Sequence, residues 1–76
     1  MNLILDRASQ IPLYAQIHEK LRRKIETSEL AAGAAVPSER ELAEMCKVSR
    51  MTARQALNAL KSDGFVYQER GVGTFV

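Results

Sequence analysis

The sequence predicts an α+β fold in which three helices precede a two-stranded β-hairpin. Three observations carry the prediction. Apolar residues recur at three- and four-residue steps early in the chain. Two helix-start signals follow at Ser38 and Ser49, and the final stretch alternates around a glycine-rich turn.

The first helix lies in "PLYAQIHEKLRRKIETSEL". Pro12 suits a first helical position, where its missing N–H costs nothing. Tyr14, Ile17, Leu21 and Ile25 then form one apolar stripe, and Glu19, Lys20, Arg22, Arg23 and Glu26 fall mostly off it. The pattern predicts a helix over roughly 12–28. "AAGAAVP" interrupts it, since Gly33 permits a turn and Pro37 disfavours helix at the residue before it.

"SERELAEMC" opens the second helix. Ser38 and Glu41 have capping-box spacing, so the hydroxyl can accept from the backbone N–H three residues on while Glu41 reaches back. Leu42, Ala43, Met45 and Cys46 supply its apolar side. The helix must be short, because Ser49 offers a second N-cap after a turn read as four residues. The third helix runs from about Arg50 to Ser62. At 100° per residue, Ala53, Ala56, Leu57 and Leu60 cluster on one side. Arg50, Arg54, Asn58 and Lys61 share an adjoining arc, with Leu57 at the seam. Asp63-Gly64 closes the helix, glycine being able to take the left-handed position past its end. "FVYQE" then alternates as a strand with Phe65 and Tyr67 on one face, "RGVG" turns, and "TFV" returns as the second strand.

A chain of 76 residues makes one small domain with a thin core and no room for a deep substrate cavity. Its composition, 46% hydrophobic and 26% charged, is neither disordered nor membrane-like. The apolar run in "MNLILDRASQ" is too short for a signal peptide, and no stretch is long enough to span a bilayer. The lone Cys46 forms no internal disulfide, which fits the cytoplasm. Net charge is only +2, so the overall balance says little about partners. Its distribution says more. Residues 1–46 carry six basic and seven acidic side chains, whereas residues 47–76 carry five basic and two acidic. No carboxylate occurs between Glu44 and Asp63, while Lys47, Arg50, Arg54 and Lys61 all fall there. A local basic patch of this kind suits a phosphate backbone, although a basic solvated helix face would look the same.

Helix, short helix, turn, helix and hairpin, in that order, describe a winged helix-turn-helix. Such a motif lays its second helix in the major groove of DNA. At "PLYAQIHEKLRRKI", "VPSERELAEMCKVSRMTARQALNAL" and "DGFVYQERGVGTFV" the chain closely resembles the amino-terminal DNA-binding domain of GntR-family transcriptional regulators. "LDRASQIPLYAQI" and "GVGTFV" look most like the HutC subfamily. The resemblance implies that residues 1–76 are the DNA-binding domain, with the helix-turn-helix at about 39–58 and the wing at about 65–76. It implies a cytoplasmic, nucleoid-associated bacterial regulator, of the ligand-responsive repressor type, that binds pseudo-palindromic operator DNA as a homodimer and has no membrane partner. A carboxy-terminal domain that dimerises and binds a small-molecule effector is expected outside this chain. Two positions depart from the family pattern. Lys47 stands where glycine is usual in the turn, and Ala53 replaces a typical valine, which should loosen packing slightly.

Arg50 opens the third helix, where its planar fork can donate to guanine O6 and N7. The resemblance assigns Arg40 a similar base contact. The alternative for both is a surface ion pair with Glu39, Glu41 or Glu44. Arg54, one turn further on, is expected to hold a phosphate. Ser38, Ser49 and Thr52 lie near helix starts, where free N–H groups and the dipole favour phosphate oxygen or a simple cap. Met51 either meets a thymine methyl or makes no contact. Arg70 and Gly71 form the wing tip, which the family inserts into the minor groove; Gly71 would also serve the turn alone.

His18 has no neighbouring ligand type and reads as structural or solvent-facing, and Cys46 reads as core. No zinc spacing, phosphate-binding glycine loop or catalytic pair occurs, so no metal, no cofactor and no enzyme activity is expected. A winged helix used for protein contacts would expose an apolar face where this chain places cations.

Overall fold

The computed structural model describes residues 3–76. In chain order its elements are α1 (Leu13–Glu26), β1 (Ala35–Val36), α2 (Glu39–Cys46), α3 (Arg50–Ser62), β2 (Tyr67–Glu69) and β3 (Gly73–Phe75). The three expected helices are present. The expected two-stranded hairpin is instead part of a three-stranded antiparallel sheet in the order β1-β3-β2.

Each helix boundary has a local cause. Pro12 sits at the N-cap of α1 rather than inside it, with extended ψ of 146°. Ser28, at φ 62°, ends that helix earlier than the periodicity suggested. At α2 the capping box forms in full: Ser38 Oγ accepts from the Glu41 N–H at 3.1 Å, and Glu41 Oε1 accepts from the Ser38 N–H at 3.0 Å. Helices α2 and α3 end in the same way. Val48 N–H reaches back to the Ala43 carbonyl at 3.1 Å, and Phe65 N–H to the Leu60 carbonyl at 3.0 Å. The intervening left-handed residues are Lys47, at φ 53° and ψ 50°, and Gly64, at φ 82°. These are Schellman terminations, which satisfy carbonyls the helix leaves free. The turn between α2 and α3 therefore holds three residues, Lys47 to Ser49, and not the four expected.

The second Schellman turn also revises the strand assignment. Phe65 is spent on terminating α3, so β2 begins only at Tyr67 and the expected Phe65–Tyr67 strand face does not form. Phe65 packs against the core while Tyr67 is half exposed and lies across from Phe75, their ring centroids 5.8 Å apart. Strand β1 escaped the sequence reading because two residues show no periodicity. Pro37 explains its extended backbone. Ala35 and Val36 pair with Phe75 and Thr74, and Gly33 and Ala34 continue the ladder to Val76.

The core is small. Ile17 and Leu21 of α1, Leu42 of α2 and Leu60 of α3 are wholly buried, with Ala53 and Ala56 equally inaccessible between them. Those two alanines let α3 pack closely on its neighbours. Val36, Val66 and Leu3 close the ends, and Cys46 is buried at the end of α2 as expected. Met45 is not part of this core; it is 40% exposed, because the α2 stripe that faces α3 runs through Leu42, Ala43 and Cys46. Tyr14 likewise lies at the edge of its stripe. His18 is structural: its Nε2 stands 2.8 Å from Asp63 Oδ2, tying α1 to the end of α3.

Residues before α1 also have a job. Gln16 pins them by accepting from the Asp6 N–H and donating to the Asp6 and Ile11 carbonyls. Arg7 then donates through Nη2 to the carbonyls of Cys46, at 2.6 Å, and Lys47, at 3.2 Å. The guanidinium thus caps the C-terminal end of α2 with a positive charge, where the helix dipole favours one.

Candidate nucleic-acid interface

The candidate contact groups stand at the starts of α2 and α3 and at the hairpin tip. Ser49 caps α3, its Oγ accepting from the Thr52 N–H at 3.1 Å and lying 3.0 Å from Thr52 Oγ1. Ser38 caps α2 as described. Both caps are exposed, and a hydroxyl that accepts from its own helix still leaves the neighbouring free N–H groups unpaired. Met51 is 58% exposed on the first turn of α3.

The cationic arc is real, but it is not free of acid. Glu39, from the first turn of α2, reaches across to α3. Its Oε2 accepts from Arg54 Nε at 3.0 Å and its Oε1 from Arg54 Nη2 at 3.1 Å. Arg50 Nε lies 3.5 Å from the same Oε1. The acid-free window in the sequence is thus not acid-free in space. Arg54, expected on a phosphate, and Arg50, expected on a base, both rest against Glu39 in the unbound domain. Arg40 rests against Glu44, at 3.4 Å across one helical turn. The surface ion pairs weighed as an alternative for Arg40 and Arg50 therefore exist. Each is solvent-exposed, with side-chain exposures of 78% for Arg40, 68% for Arg50 and 54% for Arg54. Exposed pairs of this kind are weak and exchange readily for other anions. The Arg54 hydrogen bonds, then desolvation against them, leave the Glu39 carboxyl below its ordinary range, and Glu39 in turn raises the Arg54 guanidinium.

The wing supplies the second half. Val72 N–H donates to the Glu69 carbonyl at 2.9 Å, which closes a turn with Arg70 and Gly71 at its corner. Gly71 has φ 79° and open space around the position a Cβ would take. A side chain there would be strained by the backbone and not by a clash. Between α3 and the wing lies a cleft of about 480 Å³ that Asn58, Lys61 and Gln68 help to line. Lys61 Nζ reaches Gln68 Oε1 at 3.5 Å across it. Of the nine expected site residues, Ser38 and Ser49 cap α2 and α3, Arg40, Arg50, Met51, Thr52 and Arg54 lie on those helices, and Arg70 and Gly71 form the wing tip; only Ser38 and Arg54 line this cleft, beside Glu39.

Burial pushes the Cys46 thiol up, with Arg7 opposing weakly, so the sulfur stays protonated at neutral pH. Among the described residues no group of three or more His, Cys, Asp or Glu side chains could hold a metal ion, and no helix is long and apolar enough to cross a membrane.

Residues 13–76 match the family model described as bacterial regulatory proteins, gntR family. The chain belongs to the GntR family. It is 47% identical over 72 residues to the HTH-type transcriptional repressor NagR of Bacillus subtilis, covering 95% of this chain and 30% of that protein. It is 37% identical over 67 residues to the HTH-type transcriptional regulator GgaR of Escherichia coli, covering 88% of this chain and 27% of that protein. The chain therefore spans less than a third of the length of these relatives. Among solved structures, the AraR DNA-binding domain in complex with operator ORX1 superposes with a TM-score of 0.86 at 35% identity, covering all of this chain and 94% of that one. YtrA of Sulfolobus acidocaldarius, a GntR-family transcription factor, gives a TM-score of 0.88 at 34% identity over 92% of this chain and 74% of that one. The architecture is that of the winged-helix DNA-binding domain of GntR regulators.

Proposed function

We propose that this domain reads double-stranded operator DNA for a bacterial transcriptional regulator. Helix α3 enters the major groove, and the Arg70–Gly71 tip enters the adjoining minor groove. The observation that carries the reading is the packing of α2 on α3, which gathers Arg50 and Arg54 around Glu39 beside the Ser38 cap and next to the cleft that separates α3 from the wing. The operator complex of the similar AraR domain supports it. A recognition helix in one groove and a wing in the next require the phosphate strand between them to cross the cleft that Asn58, Lys61 and Gln68 line.

On this reading Arg50 and Arg40 contact bases, Arg54, Ser38, Ser49 and Thr52 hold phosphates, and Met51 lies against the base edges. The name of NagR supports repression as the output. The lengths of the relatives support a carboxy-terminal effector and dimerisation domain in the whole protein, which would act as a homodimer in the cytoplasm. The opening and closing motifs support a HutC-like placement. None of this requires catalysis.

The test is duplex binding by the 76-residue chain against salt, with one variant. Arg54→Ala should weaken all duplexes alike and flatten the salt slope by about one unit. Parent affinity that ignores salt between low and physiological ionic strength would overturn the reading.

A further inference from the structure

The cation arc of a DNA-reading helix gains nothing for affinity from a carboxylate lodged in it, and Glu39 is lodged there by geometry. Its side chain is 22% exposed, less than half the exposure of either arginine it touches. It engages Arg54 through two hydrogen bonds along one edge of the guanidinium, Nε and Nη2. Arg50 approaches the same carboxylate with Nε at 3.5 Å and makes no hydrogen bond to it. Among the described residues, the terminal amino groups of Arg50 have no intramolecular acceptor. These are the groups that pair with guanine O6 and N7.

That asymmetry has a consequence for selectivity. Non-specific binding rests on phosphates, and every free cation adds to it. Arg54 can serve a random phosphate only by leaving Glu39, and the phosphate then meets the bare carboxylate beside it. Arg50 can meet a base edge end-on while its Nε stays against Glu39. We propose that Glu39 is a specificity-determining residue of the DNA-binding surface: its charge penalises phosphate-only encounters while it holds Arg50 in place for a base-directed one. The role rests on the DNA reading given above. It is a repulsive element against the wrong partner, such as specific binders use alongside attractive contacts. Glu39 also stands in the first turn of α2, where an acid suits the helix dipole. That role alone would leave DNA discrimination untouched.

The experiment compares Glu39→Gln, Glu39→Asp and the parent on a random-sequence duplex and on the duplex the parent enriches from a random pool. Both duplexes are titrated across salt. Removing the carboxylate raises the net positive charge that faces phosphate by one, which steepens the salt slope on random duplex by up to about 0.9. At about 0.1 M salt that slope amounts to a gain of up to about eightfold in random-duplex affinity. Glu39→Gln should show this gain on random duplex, whereas on the enriched duplex the same gain is offset by loss of the contact that holds Arg50, so the ratio between them falls. Glu39→Asp, which keeps the charge, should stay within about twofold of the parent on random duplex. An unchanged random-duplex affinity and slope in Glu39→Gln would overturn the proposal, and so would an equal gain on both duplexes. If the parent itself bound no duplex at any salt, the DNA reading would fall with it; a binding parent and an indifferent Glu39→Gln would sink this proposal alone.

Discussion

Replacing Lys47 by glycine should stabilise the domain. Lys47 sits in the left-handed region at φ 53° and ψ 50°, and it must do so, because Val48 reaches back to Ala43 across it. A non-glycine residue held there costs about 1–2 kcal/mol. Glycine removes that strain but gives the unfolded chain more freedom, which returns about 0.5–1 kcal/mol. The net gain is about 0.5–1 kcal/mol. Nothing in the native structure offsets it: the lysine side chain is exposed and has no ion-pair partner among the described residues. The Arg7 bond to the Lys47 carbonyl survives the change, since it uses backbone only. For a domain of this size each kcal/mol moves the melting midpoint by about 4–8 °C, so the expected rise is about 2–8 °C. Thermal melting followed by circular dichroism measures it, with Lys47→Ala as the control that keeps the strain and should not rise. A Lys47→Gly midpoint at or below the parent would refute the argument that this turn stores backbone strain.

Three other outcomes follow from the same structure. Leu42→Ala, at a wholly buried position, should cost about 2–5 kcal/mol and leave a domain this small largely unfolded at 37 °C by the same melting measurement. Acid should destabilise the fold from below about pH 4.3, the unperturbed glutamate value. Glu39, held low by Arg54, and Glu41, held low by the Ser38 backbone and hydroxyl, stabilise only while ionised. That contribution is complete above the unfolded pKa and disappears as pH falls through the lower folded values; a shallower acid limb in Glu41→Gln checks it. Gly71→Val, strained at φ 79°, should melt lower by about the 1–2 kcal/mol that a left-handed non-glycine residue costs, keep its helices by circular dichroism, and bind DNA more weakly. Arg70→Ala should lose most on A·T-rich flanks, where a narrow minor groove attracts arginine; a Gly71→Val variant that binds as well as the parent would make the wing a structural hairpin only.

How far the chain could be read without its structure depended on how local each signal was. Helix starts at Ser38 and Ser49 and the end at Gly64 rest on contacts within six residues, so they were legible in detail, whereas the turn opened by Lys47 was read one residue too long. Strand β1 was not legible, because its two residues become a strand only by pairing with β3, far along the chain. The shortened β2 was missed for a subtler reason: Phe65 fits a strand pattern and a Schellman turn equally, and the helix ending took it. At the interface, every expected side chain except Met51 was legible as a cation, hydroxyl or glycine in a motif. What the sequence hid was the partner of Arg54. Glu39 stands 15 positions before Arg54, and only the packing of α2 on α3 brings them together. Arg7 is a similar case, its carbonyl partners lying 39 and 40 positions away. A fold reads well from one-dimensional signals, whereas charge pairing across elements does not.

The central claim is that α3 reads bases and does not merely hold phosphate. Selection of bound duplexes from a random pool, run in parallel on the parent and on Arg50→Ala at matched salt, tests it most directly. The parent should enrich a defined half-site, and Arg50→Ala should lose preference at one guanine position, by about 1–3 kcal/mol, while the other positions persist. A parent that enriches no sequence, or an Arg50→Ala variant that enriches the same half-site with the same strength, would contradict the account.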